Sequence, residues 1–227
     1  MKSMVQVLAR LVLVSLLAAP ALANARSHHG HNKPKPANAT SFDYYVLSLS
    51  WSPEHCKEKP GGPDDTQCAA TRHFAFVVHG LWPQYENGGF PHDCATSNHL
   101  TDDVIDGMLD IMPSKDLIRH EWQTHGTCSG LPADAYFKLA RQAFQSVTIP
   151  DRYKSPADAF QVTASDVRND FRTSNPSLDG KGIAVLCTGH FLKELRVCLG
   201  KDPLAMRACS AKVTDNCHGK VTVRPLR

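Results

Sequence analysis

The chain has 227 residues, of which 42% are hydrophobic and 21% charged, and its formal net charge is +3. Lys2 and Arg10 fall within the first 25 residues, which hold no acid, so the remainder carries 23 basic against 22 acidic residues. This balance excludes the broad basic face of a tight nucleic-acid binder; a polyanion would be handled locally, in a site, and released.

Residues 1–25 read as a signal peptide. A positive start is followed by an apolar run over 11–21 that is too short to span a membrane, and Ala21-Leu22-Ala23 and Ala23-Asn24-Ala25 are small-x-small cleavage sites. No later apolar stretch approaches the roughly eighteen residues that a spanning helix needs. The mature chain is therefore expected to be secreted or periplasmic, with no membrane association after signal removal. Residues 26–41 are polar and proline-bearing and read as a flexible arm. Residues 42–227 are enough for a single domain with a substantial core.

All eight cysteines (Cys56, Cys68, Cys94, Cys128, Cys187, Cys198, Cys209 and Cys217) follow the signal. An even count in an exported chain argues for four disulfides, and the lack of any Cys-x-x-Cys pair argues against zinc. Spacing alone leaves roughly a hundred connectivities open.

In chain order, order is expected to start with a strand over 44–51, where Val46, Leu47 and Leu49 are flanked by aromatics. A loop with a turn at Pro60-Gly61-Gly62-Pro63 follows. A second strand over 74–78 is apolar enough to be central; it delivers His79 at its carboxyl end, and Gly80 lets the chain turn. Thr101 or Asp102 caps a short helix to Ile111. Ser114 caps the next helix and Gly126 ends it. Further helices are expected over about 133–145 and 164–172, then strands over 185–187 and 191–198. There is no regular strand–helix alternation, so the fold class is α+β around an antiparallel sheet.

Two segments carry chemistry: 76–84 (FVVHGLWPQ) and 120–128 (HEWQTHGTC). They hold three histidines and a glutamate, residue types suited to acid–base work on a phosphodiester. On the helix, Glu121 and His125 are four apart and share a face, while Trp122 points toward the core. His125 lies in the last turn, where the helix dipole and the Glu121 carboxylate would both favour a charged imidazole and hence activity at mildly acidic pH. The segment is not the zincin His-Glu-x-x-His pattern: His120 and His125 are five apart, about 140° around the axis, and do not converge on one metal. His55, His73, His92, His99, His190 and His218 have no such context and remain unassigned.

The motifs His79-Gly80-Leu81-Trp82-Pro83 and His120-Glu121-Trp122-x-x-His125-Gly126-Thr127-Cys128 resemble the two active-site segments of the ribonuclease T2 family of endoribonucleases. The stretch Leu47-Ser48-Leu49-Ser50-Trp51-Ser52-Pro53 resembles that family's first strand, and the likeness runs over roughly 42–217. The resemblance implies a central antiparallel sheet with helices packed on one side. It also implies cleavage of single-stranded RNA without metal or cofactor: transfer of the phosphodiester to the ribose 2′-hydroxyl gives a 2′,3′-cyclic phosphate, which is hydrolysed to a 3′-phosphate. By this likeness His125 is the general base and His79 the general acid. His120 holds the phosphate, and Glu121 stabilises the pentacovalent state or orients His125. Trp82 and Trp51 are candidate base-stacking residues. The implied disulfides are Cys56–Cys68, Cys94–Cys128, Cys187–Cys217 and Cys198–Cys209, and the partner is an RNA substrate met by a monomer.

One position departs. The family often has lysine where this chain has Thr124, so a positive charge beside the phosphorane is missing. Either the enzyme is slower, or a cation such as Arg119 or Arg72 substitutes, although Arg119 is poorly placed on the helix; the alternative reading is a catalytically weak RNA- or protein-binding member of the same fold.

Overall fold

The first apolar run sets the architecture. In β1 (Tyr44–Trp51) the side chains alternate. Tyr45, Leu47, Leu49 and Trp51 enter the large core, while Tyr44 and Val46 join a smaller cluster with Cys198 on the opposite face. The structure is a computed structural model that describes residues 41–60 and 65–226. The expected signal peptide, the arm up to residue 40 and Gly61-Gly62-Pro63 of the expected turn lie outside the described residues.

β1 lies between β2 (Phe76–Gln84) and β5 (Phe191–Gly200), antiparallel to both. β4 (Ile183–Thr188) pairs with β5 on its other side, and β3 (Phe160–Thr163) pairs with β6 (Lys220–Val223), again antiparallel. The one departure from the expected antiparallel sheet is β5–β6, parallel through the pair Phe191 and Thr222. β3 and β6 escape the sequence reading because four residues are too few for a period of two to register.

The helices are α1 (Ser52–Glu58), α2 (Asp102–Asp106), α3 (Lys115–Thr124), α4 (Ala133–Gln145) and α5 (Ala164–Ser174). Side-chain caps start three of them. Thr101 accepts from the Val104 amide, Ser114 from Leu117, and Thr163 with Asp166 forms a reciprocal capping box. Ile105 of α2, Ile118 and Trp122 of α3, Tyr136, Phe137 and Ala140 of α4, and Val167 and Phe171 of α5 all join the core against the odd-numbered face of β1. These four helices therefore cover one side of the sheet, and the even-numbered face is left to hold the site. The sequence reading misses α1, a short helix with proline in its first turn that looks like loop among cysteines and glycines.

Four disulfides join Cys56–Cys68, Cys94–Cys128, Cys187–Cys217 and Cys198–Cys209. Among the described residues no helix is long and apolar enough to cross a membrane.

Candidate active site

β2 does not end at His79. It runs on to Gln84, and the turn expected at Gly80 is absent. The ladder with β1 slips instead: Ser48 pairs with Gly80 but Leu49 pairs with Val78, leaving His79 as the extra residue of a β-bulge. The bulge explains why Val78 and Leu81, three apart, both face the core. Gly80 is needed for space. A Cβ there would lie 2.0 Å from Glu121 Oε2 and 2.3 Å from Trp82 Nε1, the two atoms that meet over it. The Trp82 indole N–H donates to Glu121 Oε2 at 2.7 Å.

His79 is held from two sides. Its Nδ1 lies 3.0 Å from Glu194 Oε2 of β5, and its Nε2 is 3.8 Å from Glu121 Oε1. Arg196 Nε donates to the other Glu194 oxygen at 2.7 Å. Burial pushes the Glu194 carboxyl up, but the His79 hydrogen bond and the charges of His79 and Arg196 outweigh it and hold the group below its ordinary value. Glu194 is thus a carboxylate that can only accept, so the hydrogen on this contact belongs to His79 Nδ1. Burial disfavours charge on His79, yet the Glu194 bond and the negative charges of Glu194 and Glu121 prevail and raise its pKa, with Arg196 opposing. Glu121 is buried, and desolvation lifts its carboxyl to about 7 despite the lowering effects of His79 and the Trp82 N–H.

At the other end of the cleft, His125 is the C-cap of α3. Gly126 does not stop the helix through a left-handed turn; the chain enters a 3-10 turn at Gly126–Cys128. The glycine is there because a Cβ would lie 2.4 Å from the Trp122 ring and 2.9 Å from Tyr136. His125 is not the charged imidazole expected from the sequence. Burial, reinforced by repulsion from His120 and His79, lowers its pKa to about 4, and Asp93 offsets this only in part. The shared helical face does not produce a Glu121–His125 pair. Glu121 turns to Trp82 and His79, and His125 Nδ1 is buried with no hydrogen-bond partner among the described residues.

Trp82 stands between the two histidines, its ring 5.2 Å from His79 and 5.4 Å from His125, centroid to centroid. His120 is exposed on α3, and its charge is felt at His125. Trp51 is not a stacking surface: it is fully buried, edge-on to Phe76, with its N–H donated to the Arg224 carbonyl. Arg119 pairs with Asp102 and Asp116, and Arg72 lies beside Cys56 and Cys68, so neither reaches the place of the missing lysine. Thr124 serves the loop, its carbonyl accepting from the Asp93 amide at 2.9 Å. That contact and the Cys94–Cys128 disulfide bring the loop after β2 over the helix end. There Phe90, 45% exposed, lies 5.4 Å from the His125 ring. Val46, Trp82, Gln84, Phe90, His125 and Arg196 line a cleft of about 240 Å³. Sequence reasoning missed Phe90, Glu194 and Arg196.

Residues 42–209 match the profile of the Ribonuclease T2 family. The chain belongs to the ribonuclease T2 family, a family of RNA endonucleases. A ribonuclease of Aeromonas hydrophila is 35% identical over 203 residues, covering 88% of this chain and 87% of its own. A ribonuclease T2 protein of Caenorhabditis elegans is 26% identical over 227 residues, covering 91% of this chain and 77% of its own. Among solved structures, the RNase-related protein from Calystegia sepium superposes with a TM-score of 0.66 at 20% identity over 82% of this chain and 98% of its own, a likeness of fold.

Proposed function

We propose that this ribonuclease T2 cleaves single-stranded RNA with His125 as general base and His79 as general acid. The observation that carries the assignment is the pair of histidines flanking Trp82 with protonation biased in opposite senses: the proton is held more tightly on His79 and much less tightly on His125. Two like groups whose surroundings push their pKa values apart are suited to opposite roles in one reaction. His125, neutral from mildly acidic pH upward, takes the 2′-hydroxyl proton as the oxygen attacks phosphorus. His79 gives its Nε2 proton to the departing 5′-oxygen. Water then opens the 2′,3′-cyclic phosphate to a 3′-phosphate with the two roles exchanged.

Glu121 stabilises the pentacovalent state. With its pKa near 7, it carries a proton at mildly acidic pH that it can donate to a phosphoryl oxygen. His120 contributes charge at the phosphate from the exposed rim. Trp82 and Phe90 form the apolar walls between which a base is seated, a role supported by the exposure of Phe90 at the mouth of the cleft. The four disulfides support export to an oxidising compartment, either the periplasm or the medium, after loss of residues 1–25. The protein acts there as a monomer.

The test is product analysis on an RNA homopolymer in the presence of EDTA. A 2′,3′-cyclic phosphate that accumulates and is then hydrolysed is the expected result; loss of cleavage on chelation would refute the mechanism. His79→Ala and His125→Ala are each expected to lower kcat by about 10²–10⁴-fold, the usual range for a positioned acid or base. RNA binding without turnover in the wild type would favour the weak-binder reading that Thr124 suggests.

A further inference from the structure

Two charged residues of β5 meet the site and are used by no step above. Glu194 and Arg196 are two apart on a strand, so they project to the same face, and that face bears His79. Glu194 is buried, 115 residues from His79 in sequence, and spends one carboxylate oxygen on His79 Nδ1 and the other on Arg196 Nε. With Nδ1–H committed to Glu194, only Nε2 of His79 is free to face a substrate, on the side where Glu121 and Trp82 lie. Arg196 donates its Nε hydrogen to Glu194. Its guanidinium carbon lies 5.2 Å from the centre of the Trp82 ring, and its terminal Nη groups make no hydrogen bond among the described residues. It stands on the ridge between the Trp82–His125 cleft and a second cleft of about 240 Å³ lined by Thr188, Lys193 and Asn216. A chain crossing from one cleft to the other passes over Arg196.

We propose that Glu194 and Arg196 act as one unit in this reaction, Glu194 as the positioning residue that aims His79 Nε2 at the leaving oxygen, and Arg196 as the phosphate-binding cation that offsets the threonine at position 124. The proposal rests on the reading of His79 as general acid. Planar guanidinium suits a phosphodiester because two parallel N–H donors match two phosphoryl oxygens. The proton balance closes. His79 as imidazolium carries hydrogen on both nitrogens; the Nε2 hydrogen leaves with the 5′-oxygen as its bond to phosphorus breaks, and the Nδ1 hydrogen stays with Glu194. The ring is then neutral in the tautomer that can take a proton from water in the hydrolytic step.

The charged and titratable groups facing His79 are Glu194 and Arg196 from β5, Glu121 from α3, His125 at the end of α3, and His55 of α1. Glu194→Gln keeps the shape but removes a negative charge, and Arg196→Ala removes a positive one. Their effects on the alkaline limb of the kcat/KM profile are therefore expected to be opposite: toward lower pH for Glu194→Gln and toward higher pH for Arg196→Ala. Glu194→Gln is expected to lower kcat on RNA by about 10²-fold, at the low end for a general acid. It should cost less than about tenfold on uridine 3′-(4-nitrophenyl phosphate), whose leaving group needs no acid. Arg196→Ala is expected to raise KM for an oligonucleotide about tenfold or more and to flatten its dependence on salt, with Arg196→Lys recovering part of the loss. Equal losses on both substrates with an unmoved limb would overturn the role of Glu194, and an unchanged KM in Arg196→Ala would overturn that of Arg196. Nitrogen-15 spectra of the wild type give an independent check: neutral His79 should carry its hydrogen on Nδ1, and finding it on Nε2 refutes the arrangement. If the wild type forms no cyclic phosphate, the parent reading fails first; if it does and the variants behave like wild type, this inference fails alone.

Discussion

At the scale of residues, the opposed pKa values of His79 and His125 shape the pH dependence. The base must be neutral, so kcat/KM falls as pH drops through the His125 value of about 4. The acid must be protonated, and so must Glu121 to donate to the phosphoryl oxygen, so activity falls again as pH rises through the Glu121 value of about 7 and through the His79 value, which lies above that of an ordinary imidazole. A bell with its top at mildly acidic pH is the expected profile, checked with a dinucleotide substrate at low saturation. The sequence made His79, Glu121 and His125 legible because each sits in a short motif of unusual composition. It misled on how Glu121 and His125 relate: the spacing puts both on one face, and the His125 amide does close onto the Glu121 carbonyl, but the Glu121 side chain is drawn to the Trp82 N–H and toward His79. Glu194 and Arg196 were illegible for a different reason. In a strand they look like ordinary polar residues, and only the pairing of β5 with β1, and of β1 with β2, carries them to His79. Trp82→Phe isolates one contact. The ring remains between the histidines but its N–H no longer holds the Glu121 carboxyl in place, which should lower kcat by up to about tenfold, as expected for a lost hydrogen bond worth roughly 0.5–1.5 kcal/mol. Steady-state kinetics on homopolymer RNA measures this.

At the scale of elements, the site joins one sheet strand to one helix end, and the two motif glycines make that approach possible. Gly80→Ala would drive a methyl group into the Glu121–Trp82 contact. Moving reacting groups by an ångström can cost about 10²-fold in rate, and a loss of that order in kcat with little change in far-ultraviolet circular dichroism is expected. Gly126→Ala instead overpacks Trp122 and Tyr136 in the core and should cost about 1–3 kcal/mol of stability, read by urea unfolding. Both residues read in the sequence as chain-turning glycines, whereas their function is to leave space for a neighbour. A glycine's local context does not distinguish these roles, since the atoms that need the room come from other elements. The helices fared better because caps and apolar spacing are local: the expected span over 133–145 coincides with α4, where Tyr136, Phe137, Ala140 and Ala143 are buried.

At the scale of the molecule, the disulfides divide by the length of chain they close. Cys94–Cys128 and Cys187–Cys217 span 34 and 30 residues, against 12 and 11 for Cys56–Cys68 and Cys198–Cys209. Chain-entropy arguments assign about 3.8 kcal/mol to the longest loop and about 2.8 kcal/mol to the shortest. Replacing Cys94 and Cys128 together by serine should therefore lower Tm more than replacing Cys198 and Cys209, as differential scanning calorimetry can measure. The long bridge has a second effect. It ties the loop carrying Phe90 to the helix end carrying His125, so the double variant should also lose turnover while the sheet half of the site, anchored on β5, remains in place.

The bulge in β2 has a consequence for what the fold requires. Val78 and Gly80 face consecutive residues of β1, so the ladder would close without interruption if the residue between them were absent. His79 is surplus to the sheet: the architecture is complete without it, and the chemistry is not. Deleting His79 outright should leave the pairing on both sides in phase and yield a protein that folds, keeps its four disulfides and cleaves RNA no better than His79→Ala.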